Sequence, residues 1–299
     1  MPEITANGIT LHYDEHGPAD APPLLLIMGF GAQMTMWPIE LVEALVGHGF
    51  RVIRHDNRDI GLSHKFDGVK APGVVRHALM RKIGLRPRVP YTLADMADDS
   101  AGLLDALGID SAHIVGGSMG GMIAQHLAAR HPGKTRSLTS VFSTTGAARL
   151  PPSQREAMAM LVKRPASLDE EVLVAHGITV ARTIGSPGFP APEDRLRERV
   201  RALVRRSVYQ QGPIRQMAAI VADGDRTRML EQISAPTLVL HGEDDPLIPV
   251  AHGHATAAAI PGATIQTIPG WGHDLPLELV DQLAQAIADH ARAASVTRD

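Results

Sequence analysis

The chain has 299 residues, of which 44% are hydrophobic and 20% charged, as in an ordinary globular protein with a full core. The net charge of −3 gives no indication of a nucleic-acid partner, and the lack of cysteine excludes disulfides, thiolate zinc sites and a cysteine nucleophile. No apolar run approaches the roughly 20 residues of a membrane span and the amino terminus has no signal-peptide pattern, so we expect a cytoplasmic protein without a membrane span.

The first elements predict a hairpin and then a strand that is buried on both faces. Residues 4–6 and 9–13 flank Asn7-Gly8, a strong two-residue turn signal. Residues 24–28 form an unbroken apolar run without a polar face. Such a run is typical of a strand within a parallel sheet.

A glycine-rich turn follows this strand. A dinucleotide site would need a third glycine at position 34, which is Met34, so we reject a nicotinamide or flavin site. The turn, Gly29-Phe30-Gly31, can instead present the Phe30 N–H as a donor to a developing oxyanion. The alternative is a plain connection between a strand and a helix.

The next stretch predicts a helix over residues 37–46 and a strand over residues 50–54. We interpret Asp56 and Arg58, in the polar loop that follows, as a scaffold ion pair or as backbone-bonding groups. Residues 64–91 are basic and broken by proline, which predicts a surface segment near the mouth of a site. A capping box at Thr92 and Asp95 then opens a predicted helix that runs through Leu107.

The central stretch of the chain combines a strand, a tight turn and a helix. A small apolar run ends in Gly-x-Ser-x-Gly with Ser118 at its centre, and helical spacing follows to residue 130. A sharp turn brings strand and helix so close that only glycine fits at positions 116 and 120. The turn exposes the Ser118 hydroxyl and leaves the Met119 N–H free for an oxyanion.

Strand signals disappear between residues 147 and 220. Residues 172–184 and 196–208 show helical spacing, and prolines interrupt the rest. We interpret 147–220 as a helical cap inserted into a core formed by residues 1–146 and 221–299. Its arginines alternate with apolar residues, which indicates the exposed face of an amphipathic helix rather than an anion site.

Two more predicted strands, 236–240 and 264–268, lead into carboxylates at 243–245 and into His273. If the strands are parallel, their carboxyl ends share one edge, so Ser118, a carboxylate and His273 converge there. A serine hydroxyl needs an adjacent base to take its proton, and that base needs a carboxylate to fix its tautomer. This combination therefore predicts a serine nucleophile.

The other histidines give no comparable signal. His241 and His55 lie at strand edges, where a structural role is the better interpretation. His252 and His254 would point to different helix faces, so we expect no metal site.

Five motifs in order resemble the α/β-hydrolase family along nearly the whole chain. They are the glycine-rich turn at 29–31, Asp-x-Arg-x-x-Gly-x-Ser at 56–63, the serine motif at 116–121, Gly-x-x-Asp-x-x-x-Pro at 242–249 and Gly-His at 272–273. The resemblance implies a mostly parallel sheet flanked by helices, with a helical cap inserted before the seventh strand.

The resemblance also implies roles for single residues. It identifies Asp245 as the acid, with Asp244 as the alternative, and the Phe30 and Met119 N–H groups as the oxyanion pair. The chain departs from the family in having Met28-Gly29 where His-Gly is usual. Within the family it is most similar to small carboxylesterases and methylesterases.

We therefore expect a cofactor-free serine hydrolase of carboxylic esters, acting through an acyl-enzyme on a small-molecule substrate, as a monomer or homodimer. One alternative is hydrolysis of a carbon–carbon bond in dienoate ketones, which would need a cap arginine inside the pocket. Lactonase or perhydrolase activity would use the same residues. A ligand sensor on this fold is the alternative without catalysis.

Overall fold

A computed structural model describes residues 2–71 and 88–296. Eight strands form one sheet in the order β1-β2-β4-β3-β5-β6-β7-β8. The strands β3 to β8 are parallel, and β1 and β2 are antiparallel at one edge. Their bounds are β1 Glu3–Ala6, β2 Ile9–His16, β3 Pro23–Ile27, β4 Arg51–His55, β5 Ala112–Gly117, β6 Thr135–Val141, β7 Thr237–Gly242 and β8 Thr264–Ile268. The predicted fold class, with its mostly parallel sheet, is confirmed.

Helices cover both faces of the sheet and bury two separate cores. The bounds of the helices outside residues 147–220 are α1 Ile39–Gly47, α2 Leu93–Ala106, α3 Met119–Arg130, α8 Thr227–Leu230, α9 Ala251–Ala259 and α10 Val280–Val296. On β3, Leu25 and Ile27 join the core that contains α2 and α3, whereas Leu24 and Leu26 join the core that contains α1 and α10. Alternate side chains of a strand face opposite ways, so a strand covered on both sides is apolar throughout.

Local signals in the sequence match the observed element ends. Asn7 and Gly8 both have positive φ, 48° and 76°, as a tight hairpin turn requires, and they join β1 to β2. At α2, the Thr92 side chain accepts from the Asp95 N–H and the Asp95 carboxylate accepts from the Thr92 N–H. The predicted capping box is therefore present.

The chain between β6 and β7 is described throughout and forms only helices and loops. The helices are α4 Arg155–Val162, α5 Glu170–Ile184, α6 Glu193–Arg206 and α7 Gln211–Asp223. Val174 and Ile178 of α5 pack on Leu196 and Val200 of α6 in a small core of their own. The division into a core and a cap at 147–220 stays a prediction.

The predicted surface segment 64–91 lies partly outside the described residues. Residues 72–87 lie outside the described residues, and Tyr91, at the end of the segment, is buried. In the described part of the chain, no helix combines the length and apolar character needed to cross a membrane.

Candidate active site

Ser118 lies at the junction of β5 and α3 in a strained backbone conformation, with φ 56° and ψ −119°. The close packing around it explains the flanking glycines. A Cβ on Gly116 would lie 2.2 Å from the Gly120 carbonyl oxygen, and a Cβ on Gly120 would lie 2.0 Å from that of Ile27. Any side chain at either position would force strand and helix apart. The Ser118 side chain is partly exposed, so it is accessible to a small molecule.

A chain of hydrogen bonds joins three of the predicted site residues. The His273 Nε2 lies 3.0 Å from the Ser118 Oγ, and its Nδ1 lies 2.7 Å from the Asp245 Oδ2. Asp245 and His273 follow β7 and β8, and both are buried, at 4% and 8% exposure. The carboxylate holds the imidazole proton on Nδ1, which leaves the Nε2 lone pair facing the serine hydroxyl.

The two adjacent carboxylates have different partners. The second oxygen of Asp245 accepts the Leu247 and Ile248 N–H groups, each at 2.8 Å. Asp244 instead accepts the Gly270 N–H at 2.8 Å and makes no contact with His273. The structure therefore brings Asp245, and not Asp244, together with the histidine.

The predicted oxyanion donors belong to segments that lie next to Ser118. Met119 is the first residue of α3, so its N–H has no partner within the helix. Phe30 belongs to the turn at residues 29–32, and a Cβ on Gly29 would lie only 3.0 Å from the Ser118 Cβ. Within the described residues, neither the Phe30 nor the Met119 N–H donates a hydrogen bond. Both can receive a developing negative charge.

The loop after β4 bonds the backbone on both sides of this turn, at Met28 and Met34. Asp56 accepts the Met34 N–H at 2.8 Å, and Asn57 donates to the Met28 carbonyl at 2.7 Å. Arg58 pairs with Asp99 of α2, with Nε at 2.6 Å from Oδ2, and not with Asp56. Both residues have the scaffold role that we predicted, but the ion pair between them is absent.

The loop that carries His273, residues 270–274, is bonded to the end of α5. The His273 N–H donates to the Ile184 carbonyl at 2.8 Å, and the Gly272 N–H donates to the Ser186 Oγ at 2.9 Å. The Ser186 hydroxyl in turn donates to Asp274, whose pKa is raised by burial. Nothing in the sequence around Ser186 indicates this contact, because its partner is 88 residues away.

Helices α6 and α7 are bonded to the loops that follow β4 and β3. Arg206 pairs with the buried Asp56 at 2.7 Å, although the arginines of α6 were predicted to be exposed. Gln216 of α7 is fully buried and accepts the Gly31 N–H at 2.9 Å. The sequence gives no sign of either contact, since each joins segments that are more than 140 residues apart.

Arg199 differs from the other five arginines of α6, which all form ion pairs. It is half-buried and donates to the Met36 carbonyl at 2.8 Å, but no carboxylate among the described residues lies within ion-pair distance of it. Burial lowers the pKa of its guanidinium, and Asp274 and Glu40 oppose that shift. The predicted exposed face of α6 therefore includes arginines that are only partly exposed, Arg199 and Arg206 among them.

Two of the remaining histidines, His241 and His252, have structural partners. Buried His241 lies with Nε2 2.8 Å from the Ile248 carbonyl, and burial lowers its pKa. His252 bonds through Nδ1 to Thr144 at 2.7 Å. Across residues 2–71 and 88–296, no cluster of three or more histidines and carboxylates could hold a metal ion.

Comparisons with known proteins identify the family of the chain. A family model described as the alpha/beta hydrolase fold matches residues 22–278. The rhodomycin D methylesterase DauP of a Streptomyces species is 33% identical over 98% of this chain and 98% of its own length.

Solved structures show the same fold. An enol-lactonase from Burkholderia xenovorans is 25% identical, with a TM-score of 0.73 over 97% of this chain and 100% of that chain. The meta-cleavage product hydrolase CumD from Pseudomonas fluorescens is 19% identical, with a TM-score of 0.76 over 98% of both chains. At that identity, the second likeness shows the fold alone.

Proposed function

The chain belongs to the α/β-hydrolase family, and from that membership we propose that it hydrolyses carboxylic esters through an acyl-enzyme on Ser118. The observation that carries the proposal is the position of His273, with Nε2 3.0 Å from the Ser118 Oγ and Nδ1 2.7 Å from Asp245. An esterase needs this arrangement because a serine hydroxyl is a weak nucleophile at neutral pH.

The proposed reaction uses the same groups in both of its halves. The Ser118 Oγ attacks the ester carbonyl while His273 takes its proton, and the Phe30 and Met119 N–H groups stabilise the oxyanion. The tetrahedral intermediate then breaks its bond to the alcohol oxygen, which leaves with the proton from His273. A water molecule, deprotonated by the same imidazole, then bonds to the acyl carbon. The bond between that carbon and the Ser118 Oγ breaks, His273 returns the proton to Oγ, and the acid is released.

We propose a methyl ester of a small molecule as the substrate class. The support is the 33% identity to a methylesterase over almost the full length of both chains. In this proposal residues 147–220 form the cap that shapes the pocket, and residues 1–146 and 221–299 form the catalytic core. The bonds from Ile184, Ser186 and Gln216 to the loops around the site support that division.

Arg199 favours a second candidate, hydrolysis of a carbon–carbon bond in a dienoate ketone. Such a substrate carries a carboxylate, and the half-buried guanidinium of Arg199 has no ion-pair partner among the described residues. A substrate carboxylate would supply the missing charge. The carboxyl groups of Asp274 and Glu40 partly offset the positive charge of Arg199. The site therefore has less need of a substrate carboxylate, and the ester remains the first choice.

A substrate panel tests the proposal. Methyl esters, 4-nitrophenyl esters of increasing chain length, a lactone and a dienoate ketone are incubated with the enzyme, and the products are measured by chromatography. We expect the highest kcat/KM on an ester. The highest value on the dienoate ketone would favour the second candidate, and an acylation burst without turnover on any substrate would indicate a ligand sensor.

Ser118→Ala is the matched test of the nucleophile. We expect roughly a 10⁶-fold loss of kcat with the fold unchanged by circular dichroism. Ser140→Ala is the control, because Ser140 is buried in β6 without a hydrogen-bond partner among the described residues. Ester hydrolysis that survives in Ser118→Ala would rule the mechanism out.

A further inference from the structure

The turn at residues 29–32 has weak internal support. Gly31 is its third residue and has a φ of +64°, as in a type II turn. The bond that closes the turn, from the Ala32 N–H to the Gly29 carbonyl, is 3.4 Å long. Glycine adopts either sign of φ readily, so the turn alone does not fix the orientation of its central peptide.

Gln216 of α7 supplies an acceptor for that peptide from outside the turn. Its Oε1 accepts the Gly31 N–H at 2.9 Å, and its Nε2 donates to the Arg58 carbonyl at 3.1 Å. The side chain is 0% exposed, so water does not compete for either bond. Reversing the amide would place donor against donor and acceptor against acceptor, so its orientation is fixed.

From this geometry we propose that Gln216 is a positioning residue for the oxyanion site. It does not touch the reacting atoms. By holding the Gly31 N–H, it keeps the neighbouring Phe30 N–H in place beside Ser118. Oxyanion stabilisation requires donors that are fixed before the charge develops. A loosened turn therefore lowers kcat and leaves KM nearly unchanged.

The inference rests on the proposed ester hydrolysis, and Gln216→Met tests it. Methionine has nearly the length and volume of glutamine but accepts no comparable hydrogen bond from an N–H. We expect kcat for a 4-nitrophenyl ester to fall about ten- to hundredfold, the effect of a displacement of about 1 Å, with KM nearly unchanged. A residue that only shaped the pocket would change KM instead.

A second measurement does not depend on turnover. Phenylboronic acid adds to a nucleophilic serine and forms a tetrahedral adduct whose oxygen resembles the oxyanion. We expect its affinity to fall in Gln216→Met by about the same factor as kcat. Ser207→Ala is the matched control, since the Ser207 hydroxyl also bonds a core loop, at the Gly61 carbonyl, but not the 29–32 turn. We expect Ser207→Ala to retain the wild-type kcat and the wild-type affinity for phenylboronic acid.

The outcomes separate the two proposals. If the wild-type protein hydrolyses no ester, the proposed function fails. If the wild type is active and Gln216→Met matches it in kcat and boronate affinity, the positioning role is refuted while the esterase stands. A loss of kcat that equals the loss of folded protein by circular dichroism would also refute the role, because Gln216 would then act on stability alone.

Discussion

Replacing Asp245 by asparagine tests whether the carboxylate sets the tautomer of His273. One oxygen of the carboxylate accepts the Leu247 and Ile248 N–H groups, each at 2.8 Å, and the other faces the His273 Nδ1 at 2.7 Å. In Asp245→Asn, the amide oxygen keeps the two backbone bonds, so the NH₂ group must face His273. The imidazole then carries its proton on Nε2 and presents an N–H, instead of a lone pair, to Ser118.

The expected loss follows from this change of tautomer. In a serine hydrolase, an asparagine in place of the acid lowers kcat by about 10⁴-fold, which corresponds to about 5.5 kcal/mol of activation free energy. KM changes little, because Asp245 does not reach the substrate side of the imidazole. The midpoint of thermal unfolding also changes little, because the amide fills the same space and both backbone bonds remain.

The assay is steady-state hydrolysis of a 4-nitrophenyl ester, with Asp244→Asn as the control. Among the described residues, the Asp244 side chain accepts a hydrogen bond from the Gly270 N–H alone, so we expect kcat of Asp244→Asn to fall severalfold at most. A wild-type kcat in Asp245→Asn, or an equal loss in Asp244→Asn, would refute the reasoning.

Three further expectations concern the fold. Gly120→Ala places a methyl group 2.0 Å from a carbonyl oxygen of β3, so we expect a lower unfolding midpoint and loss of turnover; Gly47→Ala, with open space around it, is the control. Burial lowers the pKa of His55 from 6.5 to about 4, so between pH 6.5 and 4 this histidine binds more protons in the unfolded chain than in the folded protein. The free energy of unfolding therefore falls by up to about 1.4 kcal/mol per unit as the pH drops through this window, and His55→Gln flattens that slope in denaturant titrations. Arg215→Met leaves the buried Asp59 carboxylate without its ion pair and lowers the free energy of unfolding by about 3 to 5 kcal/mol, whereas an unchanged urea midpoint would contradict this.

The sequence predicted the elements whose signals are local. The apolar run at 24–28 predicted a strand covered on both faces. Strand β3 is covered on both faces, because its alternate residues lie in two different cores. The Asn7-Gly8 turn and the Thr92 capping box also depend only on neighbouring residues, and both are present. Element ends differ from the predictions by a few residues because helix ends are frayed and strand ends are defined by pairing.

Contacts between distant segments were not predictable from one sequence. The ion-pair partner of Asp56 is Arg206, the last residue of α6, and that of Arg58 is Asp99, in the middle of α2. Gln216 is one polar residue in an amphipathic helix, and the sequence does not say that its amide is fully buried. The convergence of Ser118, a carboxylate and His273 could be anticipated because parallel strands bring their carboxyl ends to one edge. The choice of Asp245 over Asp244 came from the resemblance to the family.

The bonds between the end of α5 and residues 270–274 limit how this enzyme can be recombined with its relatives. A Cβ on Gly272 would lie 2.4 Å from the Gly185 carbonyl oxygen, so the two backbones are in direct contact as well as hydrogen-bonded. In a chimera that takes residues 147–220 from a relative, the foreign segment would pack on a His273 loop whose backbone fits the original residues 184–186. Successful exchange of substrate range therefore requires that residues 184–188 and 270–274 be transplanted together as a matched pair.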